Sequence, residues 1–494
     1  PQALPNDTRG RIAADHDRCA WRDCPHFSDC YVREVRDRAQ SAQVVVINHT
    51  LLLIDAAMGG FLLPERDVIV VDEAHHLEEE ATRAFTVTIT PGRIQSLVAQ
   101  SRVRQHADQG ALQEALAAST LVAEALAQIM ASNSKGRRTL DAPLQEGLRL
   151  ASAVDGIANS LQHNRPLNLD AREEQLYERL VKRARTLASD LRTVFSLAEP
   201  ETRVYYLERV TGRRNDRSVA YSASSTPLSV ADLLREKLFD RTPTVITSAT
   251  IAVGRDFSFF KARTGLSNPR EAVLPLTFDY EHDALLYLPK LTHEPAFGAA
   301  SALYHDELAK HMLEMIAVSS GRAFLLFTSN YALRAVHDRM AAHPDAAGYT
   351  FLVQGDGLSR SEMVRQFQKR ARPVLFGLRS FWEGVDVPGE ALSLVVIDKL
   401  PFDPPDDPVN EARVDHMKRA GENWFGGYVL PLATIRLKQG LGRLLRTHAD
   451  RGVLAILDKR LVTKSYGRQV LAALPPARRT TDLAEVQAFF QRDD

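Results

Sequence analysis

The sequence predicts an α/β fold with two parallel-sheet domains, and three observations favour it. The run Val68–Asp72 is apolar without alternation until it ends on carboxylates, which is typical of a strand buried on both faces of a parallel sheet. A second series of apolar runs, separated by helical patterns, lies between residues 322 and 397. Between the two series, residues 93–200 carry helical periodicity, which indicates a helical insertion in the first domain.

Composition excludes several classes of protein. The chain has 494 residues, of which 45% are apolar and 25% charged, as in ordinary globular proteins. Sixty-two basic and 62 acidic residues give zero formal charge, which neither supports nor excludes a nucleic-acid partner. No apolar run is long enough for a membrane span. Only three cysteines occur, which predicts a cytoplasmic protein without a disulfide scaffold. Because Pro1 is not an initiator methionine and no signal-peptide pattern follows it, we interpret it as a cut end.

The carboxylates Asp72 and Glu73 end the first apolar run. Open α/β sheets bind ligands at the carboxyl ends of their strands. In a site that hydrolyses a nucleotide, Asp72 would hold the Mg²⁺ that bridges the phosphates, and Glu73 would orient the attacking water. The alternative is a strand followed by a helix with an acidic first turn, since glutamates occupy positions 78–80. A second buried strand is predicted at 43–47, before Asn48 and His49.

Cys19, Cys24 and Cys30 all lie within the first 30 residues. Such clustering is improbable for scattered core thiols and indicates thiolates that converge on one metal centre. A [4Fe–4S] cluster normally takes four thiolates, so these three would need a further ligand. Zinc completed by His16 or His26 is the alternative, and the spacing alone leaves iron and zinc open.

Small residues follow a further predicted strand. Ser248, Ala249 and Thr250 come directly after the apolar stretch that begins at Pro243. A strand that ends in small hydroxyl residues can lie beside the acid-bearing strand and link nucleotide state to a second domain.

Two stretches of the second half carry possible ligand contacts. In Ser380–Gly389, Gly384 lets the backbone approach a ligand closely and Asp386 supplies an acceptor. Phe381 or Trp382 could stack on a base or pack in the core.

The other stretch, Pro431–Arg446, predicts a helix. On it Gln439, Arg443 and Arg446 stand at i, i+4 and i+7 and would share one face. Two guanidinium groups on one face suit a transferring phosphoryl group, whereas on an isolated surface helix they would simply reach water.

These motifs together carry a family resemblance. Asp-Glu-Ala-His, Ser-Ala-Thr, Ser-Phe-Trp-Glu-Gly-Val-Asp and Gln-x-x-Gly-Arg-x-x-Arg occur in the order seen in superfamily 2 helicases. With cysteines ahead of the first motif and helices behind it, the chain resembles the iron–sulfur helicases related to XPD and DinG. It is most similar to the bacterial YoaA branch, through Thr226–Ala231, Ile397–Phe402, Pro405–Pro408 and Leu474–Arg478. The cysteine spacing also matches that family, which favours [4Fe–4S] over zinc.

The resemblance implies two RecA-like domains with two insertions in the first. The implied divisions are the remainder of an iron–sulfur domain (1–40), the first RecA-like domain (41–92), an arch-like helical insertion (93–200), the return segment of the first domain (201–265) and the second RecA-like domain (266–494).

The resemblance also implies an ATP-dependent DNA helicase that moves 5′ to 3′ on single-stranded DNA in repair or replication-fork maintenance. Its cofactors would be ATP, Mg²⁺ and a [4Fe–4S] cluster, and its partner single-stranded or forked DNA. Catalytic roles are implied for Asp72, Glu73, Arg443 and Arg446. Nucleotide contacts are implied for Ala74, His75, Gly384, Asp386, Gln439 and Gly442, and coupling for Ser248, Ala249 and Thr250. The YoaA resemblance suggests a replisome clamp-loader accessory subunit as protein partner.

Two departures from the family pattern affect the expected activity. No Gly-x-x-x-x-Gly-Lys-Ser/Thr phosphate-binding string occurs, and one cluster cysteine is lacking. We therefore interpret the chain as the later part of a longer protein and expect these 494 residues alone to be inactive. The alternatives are a non-hydrolytic nucleic-acid-binding or scaffold protein of helicase ancestry, and an RNA helicase.

Overall fold

The structure, a computed structural model, describes residues 24, 26–131, 136–210, 220–296, 298–382, 387, 389–404, 407–442 and 444–491. The chain divides into two compact units. The first comprises Pro1–Thr247, Ala262–Leu266 and Pro405–Asp415, and the second comprises Ser248–Lys261, Ser267–Pro404 and His416–Asp494. Within the described ranges, no helix combines the length and the apolar character that a membrane crossing requires.

The first unit contains a parallel pair of strands, an antiparallel sheet and a group of long helices. Its elements are α1 (Tyr31–Ser41), α2 (His49–Ala57), β1 (Ile69–Val71), α3 (Leu77–Ala84), β2 (Val87–Ile89), α4 (Pro91–Val98), α5 (Ser101–His106), α6 (Gln109–Met130), β3 (Arg137–Thr139), α7 (Gln145–His163), α8 (Ala171–Phe195), β4 (Arg203–Val210), β5 (Ala220–Pro227), α9 (Ala231–Leu234) and β6 (Thr244–Ile246).

Strand β1 pairs in parallel with β6, so that Val70 lies opposite Val245. Ile69 and Val71 are buried, but Val70 is 66% exposed and Val245 is 55% exposed. The predicted burial of this strand on both faces is therefore wrong for the described residues, because their packing covers one face only. The strand predicted at 43–47 is also wrong: the segment has no regular secondary structure, and Val46 is 91% exposed. No described strand pairs with it to satisfy its backbone groups.

The predicted helical region forms a core of its own. Helices α6, α7 and α8 carry the three apolar repeats, and their buried side chains pack with those of β4 and β5. Strands in the order β2-β5-β4-β3 form an antiparallel sheet that belongs to this core. Helix α8 starts at a capping box in which Asp170 accepts from the Glu173 N–H and the Glu173 carboxylate accepts from the Asp170 N–H.

The second unit is a parallel α/β sheet with helices on both faces. From Ser248 onward the elements are α10 (Ser258–Thr264), α11 (Tyr280–Asp283), β7 (Ala284–Tyr287), α12 (Ser301–Val318), β8 (Ala323–Leu326), α13 (Asn330–Ala341), β9 (Thr350–Val353), α14 (Arg360–Lys369), β10 (Pro373–Gly377), α15 (Arg379–Trp382), β11 (Leu394–Ile397), α16 (Pro408–Arg419), α17 (Leu430–Leu441), β12 (Gly452–Ile456), α18 (Arg460–Thr463), α19 (Gly467–Ala473), β13 (Arg478–Thr480) and α20 (Leu483–Phe490). Residues 262–264 of α10 and 408–415 of α16 belong to the first unit.

Seven strands of this unit run in the order β13-β7-β12-β11-β8-β10-β9, and every pairing among them is parallel. Strands β8, β10, β11 and β12 are buried throughout. Separate apolar cores cover the two faces. The predicted α/β class with parallel sheets is confirmed, and the unbroken apolar runs of this half are explained by burial from both sides.

Gly321 ends the turn between α12 and β8, where its backbone lies close to the backbone of Arg372. Its φ is +79°, and a Cβ placed there would lie 2.6 Å from the Arg372 carbonyl carbon. Gly357 also has a positive φ, +92°, but a Cβ there would meet nothing within 4 Å. We expect Gly321→Ala to lower the free energy of unfolding by roughly 1–3 kcal/mol more than Gly357→Ala, because the added methyl displaces main-chain atoms. Urea titrations of both variants would check this, and equal losses would contradict it.

Candidate functional site

Asp72 and Glu73 lie directly beyond the carboxyl end of β1. The Glu73 N–H donates to Asp72 Oδ1 at 2.9 Å, and Glu73 adopts a left-handed φ of +48°. The chain is then tied to the end of β6, since the Ala74 N–H donates to the Thr247 carbonyl at 3.1 Å. Both carboxylates are exposed, whereas Ala74 is fully buried. The turn therefore presents two acidic groups to solvent at the ligand-binding edge of a parallel strand pair.

Three histidines surround this turn. His49 Nε2 donates to the Asp72 carbonyl oxygen at 2.8 Å. His75 Nδ1 lies 3.4 Å from Glu73 Oε2, and the rings of His75 and His76 are 4.0 Å apart. His49 was not predicted as a site residue; its one signal in the sequence was its position after the apolar run 43–47. These contacts fix the main chain of Asp72 and place an imidazole beside Glu73.

Helix α3, which follows the turn, is anchored by a partly buried ion cluster within the first unit. Glu78 Oε1 accepts from Arg263 Nε at 3.0 Å and lies 3.3 Å from Arg413 Nη1. Arg413 also donates to Thr82 Oγ1 at 3.2 Å and to the Leu228 carbonyl at 2.8 Å. Three segments distant in sequence thus hold the helix that follows the two carboxylates.

The helix α17 ends earlier than predicted. It stops at Leu441, and the Gly442 N–H donates to the Lys438 carbonyl at 2.9 Å. Gln439 lies on the helix and is 7% exposed, while Arg446 lies beyond the helix end in a turn. The prediction that Gln439 and Arg446 share one helical face is therefore wrong.

A buried aspartate explains the early end of α17. Asp450 Oδ2 accepts from the N–H groups of Arg446 at 2.7 Å and Thr447 at 2.9 Å. A carboxylate that binds these main-chain donors offers them an alternative to helical carbonyls. Asp450 was not predicted as a site residue, and its four-residue offset from Arg446 was the only sequence signal.

The predicted coupling motif lies near α17. Ser248 Oγ accepts from the Thr250 N–H at 3.3 Å, and Thr250 is 8% exposed. Just beyond it, the Ala252 carbonyl accepts from Lys438 Nζ at 3.0 Å. Burial lowers the pKa of this lysine. The segment after Ser248–Ala249–Thr250 is therefore bonded to the helix that precedes Arg446.

Two aromatic residues considered for base stacking are buried. Phe381 is 1% exposed and Trp382 is 3% exposed. A Cβ at Gly440 would lie 3.1 Å from Trp382 Cε3, so the indole packs closely against α17. The stacking interpretation is wrong for both residues because their rings belong to the core.

The cysteine motif is described only in part. Cys24 and Cys30 are half-buried in successive turns, where the Phe27 N–H donates to the Cys24 carbonyl at 2.9 Å. Cys30 caps α1, since its carbonyl accepts from the Glu34 N–H at 3.0 Å. Among the described side chains, no group of three or more histidines, cysteines or carboxylates could hold a metal ion. Four predicted site residues lie outside the described residues: Cys19, Gly384, Asp386 and Arg443.

Comparisons with known proteins agree with these motifs. A family model described as a helicase C-terminal domain matches residues 312–477. The chain is 34% identical to the ATP-dependent DNA helicase YoaA of Escherichia coli, over 97% of this chain and 74% of that protein. It is 34% identical to the ATP-dependent helicase DinG of Mycobacterium tuberculosis, over 95% of this chain and 69% of that protein. A solved XPD helicase structure aligns with a TM-score of 0.57 at 14% identity, covering 92% of this chain and 76% of that one.

The parallel sheets, the Asp72–Glu73 turn and the matched carboxyl-terminal region define a helicase-type α/β protein of superfamily 2. The chain belongs to the XPD/DinG-like family of that superfamily, as its similarity to YoaA and DinG shows.

Asp398, at the carboxyl end of β11, should make stability depend on pH. It is fully buried and accepts from the Thr328 N–H at 3.0 Å. Burial raises its pKa to about 7 from an ordinary value of 3.8. The folded protein therefore binds more protons than the unfolded chain between these pH values, so the free energy of unfolding falls as pH rises from about 4 to about 7.

Asp398→Asn keeps an acceptor for Thr328 but carries no charge at any pH. We expect it to remove that fall, on the order of a few kcal/mol, in unfolding titrations across pH 4–7. The exposed Asp345→Asn should keep the wild-type slope. An unchanged slope in Asp398→Asn would contradict the assignment.

Proposed function

We propose that this protein is an ATP-dependent DNA helicase that moves 5′ to 3′ on single-stranded DNA and acts in repair or replication-fork maintenance. The observation that carries the proposal is the turn that presents Asp72 and Glu73 at the end of β1, bonded to the end of β6. Relatives named ATP-dependent DNA helicases, at 34% identity, support DNA as the substrate. Direction and cellular role are inferred from the family resemblance.

In this proposal Asp72 and Glu73 have different roles in ATP hydrolysis. Asp72 would hold Mg²⁺, which would supply positive charge against the phosphates. Glu73 orients the attacking water and accepts its proton, with the His75 ring 3.4 Å away to steady the carboxylate. His49 keeps the Asp72 main chain in place through its carbonyl oxygen.

Residues of the second unit take the remaining roles. Arg443 and Arg446 stabilise the charge that spreads over the γ-phosphoryl oxygens in the transition state. Gly384, Asp386, Gln439 and Gly442, together with Ala74 and His75, are assigned to nucleotide contacts. Ser248, Ala249 and Thr250 are assigned to coupling, and the bond between Lys438 and Ala252 supports that role.

The phosphates themselves need another element. Helicases of this kind cradle them with a glycine-rich loop and its lysine, and no Gly-x-x-x-x-Gly-Lys-Ser/Thr string occurs in these 494 residues. Correct positioning of the phosphates supplies much of the catalysis. The lack of this string within the chain favours non-hydrolytic nucleic-acid binding as the second candidate function.

Glu73→Gln tests the proposed chemistry. The amide can hold a water molecule but cannot take its proton, so DNA-stimulated ATP hydrolysis should fall by about 10²-fold or more while ATP still binds. Glu79→Gln is the matched control, because Glu79 lies nearby on α3 and pairs with Arg83 at the surface. Steady-state hydrolysis with and without single-stranded DNA would measure both.

The same assay separates the alternatives. DNA binding without any hydrolysis in the wild type would favour the non-hydrolytic function. Stimulation by RNA rather than DNA would favour an RNA helicase. Unwinding of 5′-tailed and 3′-tailed duplexes tests direction, and a preference for 3′ tails would contradict the proposal. A clamp-loader accessory subunit is the protein partner we propose from the resemblance alone.

We also propose that Cys19, Cys24 and Cys30 ligate a [4Fe–4S] cluster with one further ligand. The support in the described part is that Cys24 and Cys30 are half-buried and lie in one run of turns. Neither thiol is in a disulfide. When bound, the cluster would serve as a structural clamp on this segment.

Anaerobic purification of the complete protein should yield about four iron and four sulfide per chain and a broad visible absorption band. Cys24→Ser should lose both, since a hydroxyl replaces a thiolate ligand. His26→Ala should keep both, because a four-thiolate cluster does not use an imidazole. Stoichiometric zinc without iron would instead establish the zinc alternative, and loss of that zinc in His26→Ala or in His16→Ala would identify the histidine that completes the site.

A further inference from the structure

Asp450 joins two segments of the second unit that carry predicted site residues. Its Oδ2 accepts from the Arg446 N–H at 2.7 Å and the Thr447 N–H at 2.9 Å. Its Oδ1 accepts from the Thr447 hydroxyl at 2.8 Å and the Gly389 N–H at 3.1 Å. Gly389 ends the stretch Ser380–Gly389, and Arg446 ends the predicted arginine motif. One carboxylate therefore binds both segments.

The Asp450 carboxylate makes these hydrogen bonds at a buried position. Asp450 is 5% exposed, and burial by itself raises the pKa of its carboxyl group. The hydrogen bonds from Thr447, Arg446 and Gly389 outweigh burial, so that the pKa lies below its ordinary value. The group consequently stays ionised as an acceptor, and charged acceptors make the stronger hydrogen bonds.

The position of Arg446 depends on this carboxylate. Helix α17 ends at Leu441, so no continuing helix fixes the Arg446 backbone. Beyond the helix end, the Arg446 N–H donates to Asp450 Oδ2 at 2.7 Å. A shift of this backbone would carry the guanidinium with it, and a displacement of about 1 Å in a positioning element can cost about 10²-fold in rate.

We infer that Asp450 is a positioning residue that locks Gly389 and the Arg446 turn into one arrangement, so that residues 389–392 and 444–450 shift together. The inference rests on the proposed function for its effect on hydrolysis. It does not rest on that function for the mechanical link between the segments. Asp450 touches neither nucleotide nor water in this scheme and acts through Arg446.

Asp450→Asn is the most direct test of this inference. The amide keeps the shape of the carboxylate, but its NH₂ group cannot accept, so one of the two pairs of donors loses its partner. In the complete protein we expect kcat for DNA-stimulated ATP hydrolysis to fall by about 10- to 100-fold with KM for ATP changed less than about threefold, as for an interaction made in the transition state. Asp482→Asn is the matched control: Asp482 accepts the Ala484 N–H at the start of α20, and asparagine caps helices equally well.

A double-mutant cycle with Arg446→Ala tests whether Asp450 acts through that arginine. If it does, Asp450→Asn adds little further loss once Arg446 is gone. Additive losses in kcat would overturn the inference. Thr447→Val removes the hydroxyl donor to Oδ1 and the acceptor of the Ala449 N–H but leaves the bonds from the Arg446 and Gly389 N–H groups, and it should give a smaller loss with the same dependence on Arg446. Thr447→Val can take the place of Asp450→Asn in the double-mutant cycle if Asp450→Asn does not fold.

Amide hydrogen exchange tests the link without any reference to activity. Asp450→Asn should raise exchange in residues 444–450 and in residues 389–392 together. Faster exchange in the first stretch alone would overturn the link between the segments. A wild-type protein that lacks DNA-stimulated hydrolysis would contradict the proposed function, and the exchange result would still decide the inference about Asp450.

Discussion

The parallel pairing of β1 with β6 is the constraint on which the acidic turn depends. The Thr247 N–H donates to the Val71 carbonyl at 2.9 Å, and the Thr247 carbonyl then accepts from Ala74 at 3.1 Å. These two bonds bracket Asp72 and Glu73 and hold Glu73 in a left-handed conformation that non-glycine residues adopt reluctantly. Main-chain bonds thus place the two carboxylates, and both side chains are exposed to solvent.

Much of the fold could be predicted because burial leaves a direct mark on the sequence. Strands such as β8 and β11 lie between two layers of helices, so they read as unbroken apolar runs. The apolar repeats of α6 and α7 likewise reflect one buried face. The segment 43–47 has the same apolar composition without a described strand beside it, and pattern alone could not reveal that difference.

The candidate site was less predictable, because its geometry depends on contacts between distant residues. The sequence located Asp72 and Glu73 correctly at a strand end, since a carboxylate pair after an apolar run is a local signal. It placed Arg446 on a helix, because helical spacing is also a local signal. Asp450 removes that arginine from the helix by binding its N–H, and Gly389 takes part from a segment far away in sequence. Propensity cannot register such a tertiary contact.

The ion cluster on α3 has a consequence for biosynthesis. This cluster includes the hydrogen bond from Arg413 to Thr82, and these two residues are 331 positions apart in the chain. Domains made on the ribosome generally begin to fold from their amino-terminal end as the chain emerges. Here the first unit cannot make this contact until Arg413 has been translated, by which time most of the second unit has also been synthesised. Folding of the first unit is therefore completed only after much of the second unit has been made, because α3 gains its contact with Arg413 late in synthesis.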